Sequence, residues 1–524
     1  MKRIYKITQV ALFGAFIVGC TDLDTAPLSS TITADQKEDV VAADPSKIEA
    51  SVTAITANFT QYAKIYTEDD NVHSDIGYPT IMLATDSRTT DFVADITGYN
   101  WYSNSANYSD CLSTSTATIE FWGTLYNQIY TANAVIGTVD NETSDSTLQF
   151  YLAQALAIRA FDYFTLVQLY QFNYKGHEDA PGVPIITSEN AEEVAANGCA
   201  RSTVKETYEF ILGDLNKAIE LLANTKKTRS DKRYVSLDVA YGIRARVHLT
   251  MHNYADALKD AEAALASTSS VPYSSAAVSK PTFIDIEDAS WMWGILITDK
   301  DRVSTTGICN FPSHMGSLNY GYASVGGWRR ISPKLYNQIP ESDVRKGWFL
   351  DDTGVSVNLP AAAQAYITKK GAPVYTQVKY GPMNDEWGSN NNATDVILMR
   401  VEEMYLIKAE AQAMNNDVSG GVNTLNSFVN TYRDPSYKCT ATTGEAVQEA
   451  VWHQRRIEFW GEGLAYFDIM RLNKGVNRLG CGFPKTAVFN IAAGDPVQIY
   501  SIPNKEVQLS LIHISEPTRH SLIS

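Results

Sequence analysis

The sequence predicts a mainly α fold: a tetratricopeptide-like scaffold of helical hairpins that carries long irregular loop insertions. Three observations predict it. Apolar residues recur every three or four positions over several segments, neighbouring segments are separated by only two or three residues, and in two long stretches the period vanishes. Leu148–Tyr170 comes first, with Leu148, Tyr151, Ala155, Ile158, Asp162, Thr165 and Leu169 on one stripe and Phe150, Ala157, Phe161 and Phe164 beside it, the pattern of a largely buried helix. Val204–Leu222 follows as an amphipathic helix, with Tyr208, Ile211, Leu215, Ala218 and Leu222 inward and Lys205, Glu209, Lys217 and Glu220 outward. Ser236–Met251 and Tyr254–Leu265 are joined by His252 and Asn253 alone, so they should pack antiparallel through small residues such as Ala240, Ala245, Ala255, Ala261 and Ala264. The Asn253–Leu258 run resembles the start of the second helix of a degenerate repeat. Val396–Met414 and Val418–Tyr432 form a further pair. Gly444–Asn473 is helical but broken around Gly461 and Gly463. No such pair buries its apolar face alone, so about four hairpins should stack in one layer.

Two stretches escape the period, about 66–115 and about 267–392. The second holds five of the nine tryptophans, namely Trp291, Trp293, Trp328, Trp348 and Trp387, and Trp101 falls in the first. Long irregular segments often carry function, so these rings are expected to form a binding face. Composition narrows the classes. The chain has 524 residues, 44% hydrophobic and 19% charged, which excludes disordered and collagenous chains. Lys plus Arg number 43 against 59 Asp plus Glu, and a formal charge of −16 opposes binding to nucleic-acid phosphates. Six cysteines without a C-x-x-C set out no disulfide framework.

Lys2, Arg3 and Lys6 precede an apolar run, Val10–Val18, too short at ~1.5 Å per residue to cross a ~30 Å hydrocarbon core. Residues 1–19 therefore read as a signal peptide. Ile17-Val18-Gly19-Cys20 resembles a bacterial lipobox, which implies that Cys20 is lipidated and tethers the mature chain to membrane lipid.

Six blocks, in order, resemble the SusD/RagB family of Bacteroidetes outer-membrane nutrient-binding lipoproteins. They are Phe121–Tyr130 with Ala132-Asn133; Arg159-Ala160-Phe161 with Tyr163-Phe164; Asp214–Ile219; Arg400–Glu403 with Ala409-Glu410-Ala411; Arg455–Phe459 through Glu462-Gly463 to Arg471; and Ile502-Pro503 with Glu506. The likeness covers Cys20 to about Gln508. It implies a single domain over 20–509, in an N-terminal part to 330 and a C-terminal part from 331. Residues 510–524 have no counterpart and read as a non-native tail. Gln454 replaces a usual Glu, and a usual Arg is missing near Leu464-Ala465, so one ion pair of that layer is expected to be absent.

The resemblance further implies a non-catalytic protein without a cofactor. It would capture oligosaccharide and hand it to a SusC-like TonB-dependent transporter, anchored in the outer membrane through Cys20. Asp22 and Asp24 resemble the acidic tether that directs such lipoproteins to the cell exterior. Sugar rings stack their C–H faces on indoles and phenols while polar groups take the hydroxyls. On that ground Trp101, Trp328, Tyr320, Tyr322, Asn100 and Arg329 are the candidate ligand contacts, with Phe92 as an alternative to Trp101. Peptide capture by the same mechanism, or a glycoside-degrading enzyme, are the competing readings. Arg159, Arg400, Glu402, Glu410, Arg455, Arg456, Glu458, Asp468 and Arg471 read as interhelical ion pairs. His248 and His252, one turn apart, lack the companion Glu of a zinc protease. Asp69, Asp70, Asn71 and Asp75 could hold calcium, but lack the glycine and terminal Glu of a calcium loop.

Overall fold

The computed structural model describes residues 34–62, 73–305 and 307–509, so Cys20, Asp22, Asp24, Asp69, Asp70, Asn71 and the 510–524 tail lie outside the described residues. The fold is mainly α and tetratricopeptide-like. Helices Thr116–Ile136, Ser146–Tyr170, Val204–Asn224, Leu237–Thr250, Tyr254–Ser267, Val401–Met414 and Val418–Tyr432 pack each against the next, and Gly444–Glu458 closes on Val401–Met414. Their ends have physical causes. The Asp145 carboxylate caps two amides of Ser146–Tyr170, and Thr203 with Glu206 forms a reciprocal capping box. Ala240, Ala245, Ala261 and Ala264 are buried in the hairpin they were expected to close, whereas Ala255 is exposed and Ala257, two residues on, takes the inward place.

Ion pairs rivet the layer. Arg159 reaches Asp214 at 2.8 Å between helices, Arg471 joins Glu410 at 2.5 Å and Asp468 at 2.8 Å, and Arg455 takes Asp468 at 2.7 Å. Deeper still, Glu458 accepts from Arg400 at 3.0 Å, Arg433 at 2.7 Å and Arg345 at 3.2 Å, with all four side chains wholly buried. These partners hold the Glu458 carboxyl well below the usual range despite its burial. Gln454 accepts from Arg345 at 2.5 Å and Glu462 pairs with Lys379 and Arg400, so the two departures from the family pattern leave these side chains hydrogen-bonded.

Three expectations need correction. Val396–Arg400 is a strand, paired antiparallel with Trp291–Ile295, and the helix begins only at Val401. A run buried on both faces has no period to distinguish strand from helix. The first irregular stretch contains a ten-residue helix, Tyr78–Ser87, that is buried throughout. Its polar residues turn inward on their own backbone, as when Thr85 and Ser87 donate to Ile81 and Leu83 carbonyls at 2.7 Å, which erases the polar face a sequence would display. Finally, Trp291, Trp293 and Trp348 do not form a surface. All are fully buried, and their indole N–H groups donate to Tyr273, Arg233 and Val278 oxygens at 2.9–3.0 Å. The broken C-terminal helix is as expected: Gly444–Glu458 and Ala465–Arg471 flank Gly461 and Gly463 at φ +79° and +73°, and a Cβ on Gly463 would strike Met82.

Candidate functional site

A two-stranded ribbon sets the site. Phe92–Ala94 pairs antiparallel with Arg329–Ile331, Ala94 opposite Arg329. The chain leaving the first strand, 95–102, therefore emerges beside the chain entering the second, 320–328, although more than 200 residues separate them. Two glycines let the loops touch. The Tyr99 ring lies over Gly326, where a Cβ would approach it to 2.9 Å, and a Cβ on Gly327 would meet the Tyr99 carbonyl at 2.8 Å.

The loops build a ladder of rings. Trp101, half-buried, stacks on His73 at 4.6 Å and meets Tyr322 edge-on at 6.0 Å; Tyr322 stacks in turn on His314 at 4.7 Å. The Tyr322 hydroxyl bonds the His73 ring, and His314 donates from Nε2 to the His73 carbonyl at 2.9 Å. Burial, helped by the Arg329 charge, pushes His314 down to about 3, so it is neutral and serves as a flat spacer. Tyr99 and Tyr320 stand at the surface, 52% and 46% exposed.

Several candidate contacts are corrected by this arrangement. Trp328 is 7% exposed and packs with Leu318, Leu350, Ile367 and Val378, an apolar cluster inside the insertion. Tyr322, at 6%, is an internal rung. Asn100 and Arg329 are both buried and spent on each other: Arg329 donates to the Asn100 side chain at 2.8 Å and to the His314 carbonyl at 2.9 Å, fixing the two loops. Phe92 is buried against Trp460 at 4.9 Å. Trp101 and Tyr320 remain accessible, and Tyr99 joins them. Sequence reasoning passed over Tyr99, although the paired Gly326-Gly327 is a signal that a ring or backbone approaches closely there.

Beside Trp101 opens a cavity of about 350 Å³ with polar walls, among them Ser74, Asn104 and Ser105. A larger hollow, about 870 Å³, lies elsewhere, between Thr56, Asn58, Arg233 and Arg302. Its aromatic residue, Tyr62, has the Arg302 guanidinium over its ring at 4.8 Å, which occupies one face. No group of three or more His, Cys, Asp or Glu fit to hold a metal occurs among the described residues. His248 faces Asp260 at 3.8 Å while His252 bonds the Arg471 carbonyl at 2.9 Å, and Asp75, buried, accepts from Gln61. Cys111, Cys309, Cys439 and Cys481 are free thiols.

With this geometry in hand, likenesses to known proteins gain meaning. Residues 35–249 match a family model described as starch-binding and associating with the outer membrane, and residues 340–505 match that of the SusD family. SusD-like protein P2 of Formosa agariphila is 25% identical over 392 residues, 68% of this chain and 72% of the relative. The crystal structure of a SusD-like carbohydrate binding protein from Bacteroides vulgatus superposes with a TM-score of 0.73 at 22% identity, covering 90% of this chain and 98% of the other. Surface glycan-binding protein A from Bacteroides thetaiotaomicron, solved in complex with laminarihexaose, superposes at 0.63 with 18% identity over 88% and 97% of the two chains.

Proposed function

The chain belongs to the SusD/RagB family, and from that premise we propose that it is a non-catalytic, glycan-binding lipoprotein of the outer membrane. It captures oligosaccharide at the cell exterior and passes it to a SusC-like TonB-dependent transporter. The observation that carries the reading is the accessible aromatic face of Tyr99, Trp101 and Tyr320, on loops pinned by the Phe92–Ala94 ribbon and bordering a polar cavity. Flat rings match the C–H faces of pyranoses and neighbouring hydroxyl, amide and carboxyl groups match their hydroxyls, so a sugar is held in its ground state without any group being transferred. The Asn100–Arg329 bond and the His73 and His314 spacers position the rings beforehand, which lowers the entropy lost on binding.

Anchoring rests on Cys20, once residues 1–19 are removed. Among the described residues no helix is long and apolar enough to cross a membrane. A fold relative solved with laminarihexaose makes a neutral glucan the natural first probe. The test is isothermal titration of the mature protein against neutral glycans and peptides, with an assay for released reducing ends. Saturable glycan binding without new reducing ends is the expected result. Peptide binding alone, or steady release of ends, contradicts the proposal.

A further inference from the structure

The cavity beside Trp101 is a built site. Its walls come from the 101–105 segment, from Ser74, and from the first turns of Thr116–Ile136, which bring in Glu120. Several of its polar groups are already engaged within the protein. Tyr102 donates to the Ser74 carbonyl at 3.2 Å, Thr80 donates to the same oxygen, and Asp110 takes Arg88 at 2.6 Å and Tyr500 at 3.1 Å. Glu120 is not: it is 2% exposed, and its Oε1, like the Trp101 indole nitrogen, is buried with no hydrogen-bond partner. A carboxyl so placed is a cost to the fold unless something in the cavity bonds to it.

Resting on the glycan reading above, we infer that this cavity is the subsite for the terminal residue of an uncharged glycan, with the half-buried Trp101 at its mouth and Glu120 bonding a sugar hydroxyl within. Size supports one ring. About 350 Å³ lies at the lower end of ligand pockets, roughly 300–1,000 Å³, a size that suits the end of a glycan rather than a longer run of it. Chemistry supports the absence of charge. Asp110 and Glu120 line the space, Asp75 lies close enough to Glu120 to act on its titration, and of the nearby cations Arg88 pairs with Asp110 while Arg329, behind the Tyr102 ring at 5.9 Å, donates to Asn100 and the His314 carbonyl. A uronate or sulfate entering here would therefore meet carboxyls and no cation among the residues that line the cavity. Burial, with Asp75 adding to it, holds the Glu120 carboxyl well above the usual range, which favours the protonated form, and that form offers a sugar hydroxyl both a donor and an acceptor.

The experiment is titration of the mature protein with laminarihexaose, with other neutral hexasaccharides, and with an oligogalacturonate of equal length. Four variants are compared, each with its melting temperature: Glu120→Leu, which removes the bonding group; Thr114→Trp, which fills the cavity from an exposed wall position; and Tyr99→Ala and Trp101→Ala, which test the aromatic face. The inference expects at least tenfold weaker neutral-glycan binding in both Glu120→Leu and Thr114→Trp, and at least tenfold weaker binding of the oligogalacturonate by the parent protein. Should Tyr99→Ala and Trp101→Ala weaken binding while both cavity variants stay within twofold, the glycan reading survives and the subsite is refuted. Equal affinity for the oligogalacturonate refutes the uncharged class. If no glycan binds the parent protein, reading and subsite fall together. Thr114→Trp decides the matter should Glu120→Leu fail to fold.

Discussion

The helical layer and the irregular insertion use the same aromatic residues in opposite ways. In the layer, Phe161 is buried where its helical stripe places it, against Phe59, Tyr78 and Trp293 at 5.0–6.0 Å. In the insertion, rings of equal size divide between an internal cluster around Trp328 and an accessible face at Tyr99 and Tyr320, with no period to tell them apart. The difference teaches that an irregular segment is not a surface segment. It has a core of its own, assembled by pairing between residues far apart in the chain.

The seam between the two regions should be the most fragile. Arg345 and Lys379 of the insertion share Glu458 and Glu462 with Arg400, and all five side chains are buried. Arg400→Ala removes the cation that Glu458 and Glu462 share, leaving Arg433 and Arg345 on the first and Lys379 on the second, and is expected to cost about 3–5 kcal/mol in chemical denaturation. A loss below about 1 kcal/mol would show that the seam is wetter than its burial implies. Next comes Trp328→Ala. As an internal ring it should destabilise the protein by about 3 kcal/mol, measured as a fall in melting temperature. An unchanged melting temperature with lost glycan affinity would return Trp328 to the binding face. Trp101→Ala and Tyr99→Ala mark the other side of the comparison, and each should weaken glycan binding by about 1–3 kcal/mol in calorimetry with little change in melting temperature.

The last expected effect is a pH slope, small within any one pH unit. Burial, reinforced by the Glu462 carboxylate, pushes Asp86 up to about 7 from an ordinary 3.8. The folded protein thus holds a proton that the unfolded chain gives up above about pH 4. That stability is fully present below pH 4 and is lost as pH rises through 7. Asp86→Asn should flatten the decline by up to about 1.4 kcal/mol per pH unit over this window, read from denaturation at several pH values. An identical slope in the variant would place the carboxyl in solvent.

Much of the layer was legible because helical period is a local property. The helices expected at Leu148–Tyr170, Val204–Leu222 and Tyr254–Leu265 occur at Ser146–Tyr170, Val204–Asn224 and Tyr254–Ser267. The ion pairs were legible as a class, since Arg and Glu on facing buried stripes have few alternatives. The site was legible only in place. That Trp101 and the 320–329 segment meet follows from the Phe92–Ala94 ribbon, a three-residue pairing across more than 200 residues that leaves no pattern in either strand alone. Burial on both faces hid Val396–Arg400 as a strand for the same reason, and Tyr99 is accessible only because of where Gly326 places the opposite loop.

The central claim is that accessible rings on pinned loops hold sugar by contact. A crystal structure of the mature protein with a neutral hexasaccharide tests it most directly. The account predicts a pyranose face within about 4 Å of Tyr99 or Trp101. Sugar seated instead in the hollow beside Arg233, away from every one of these rings, would contradict it.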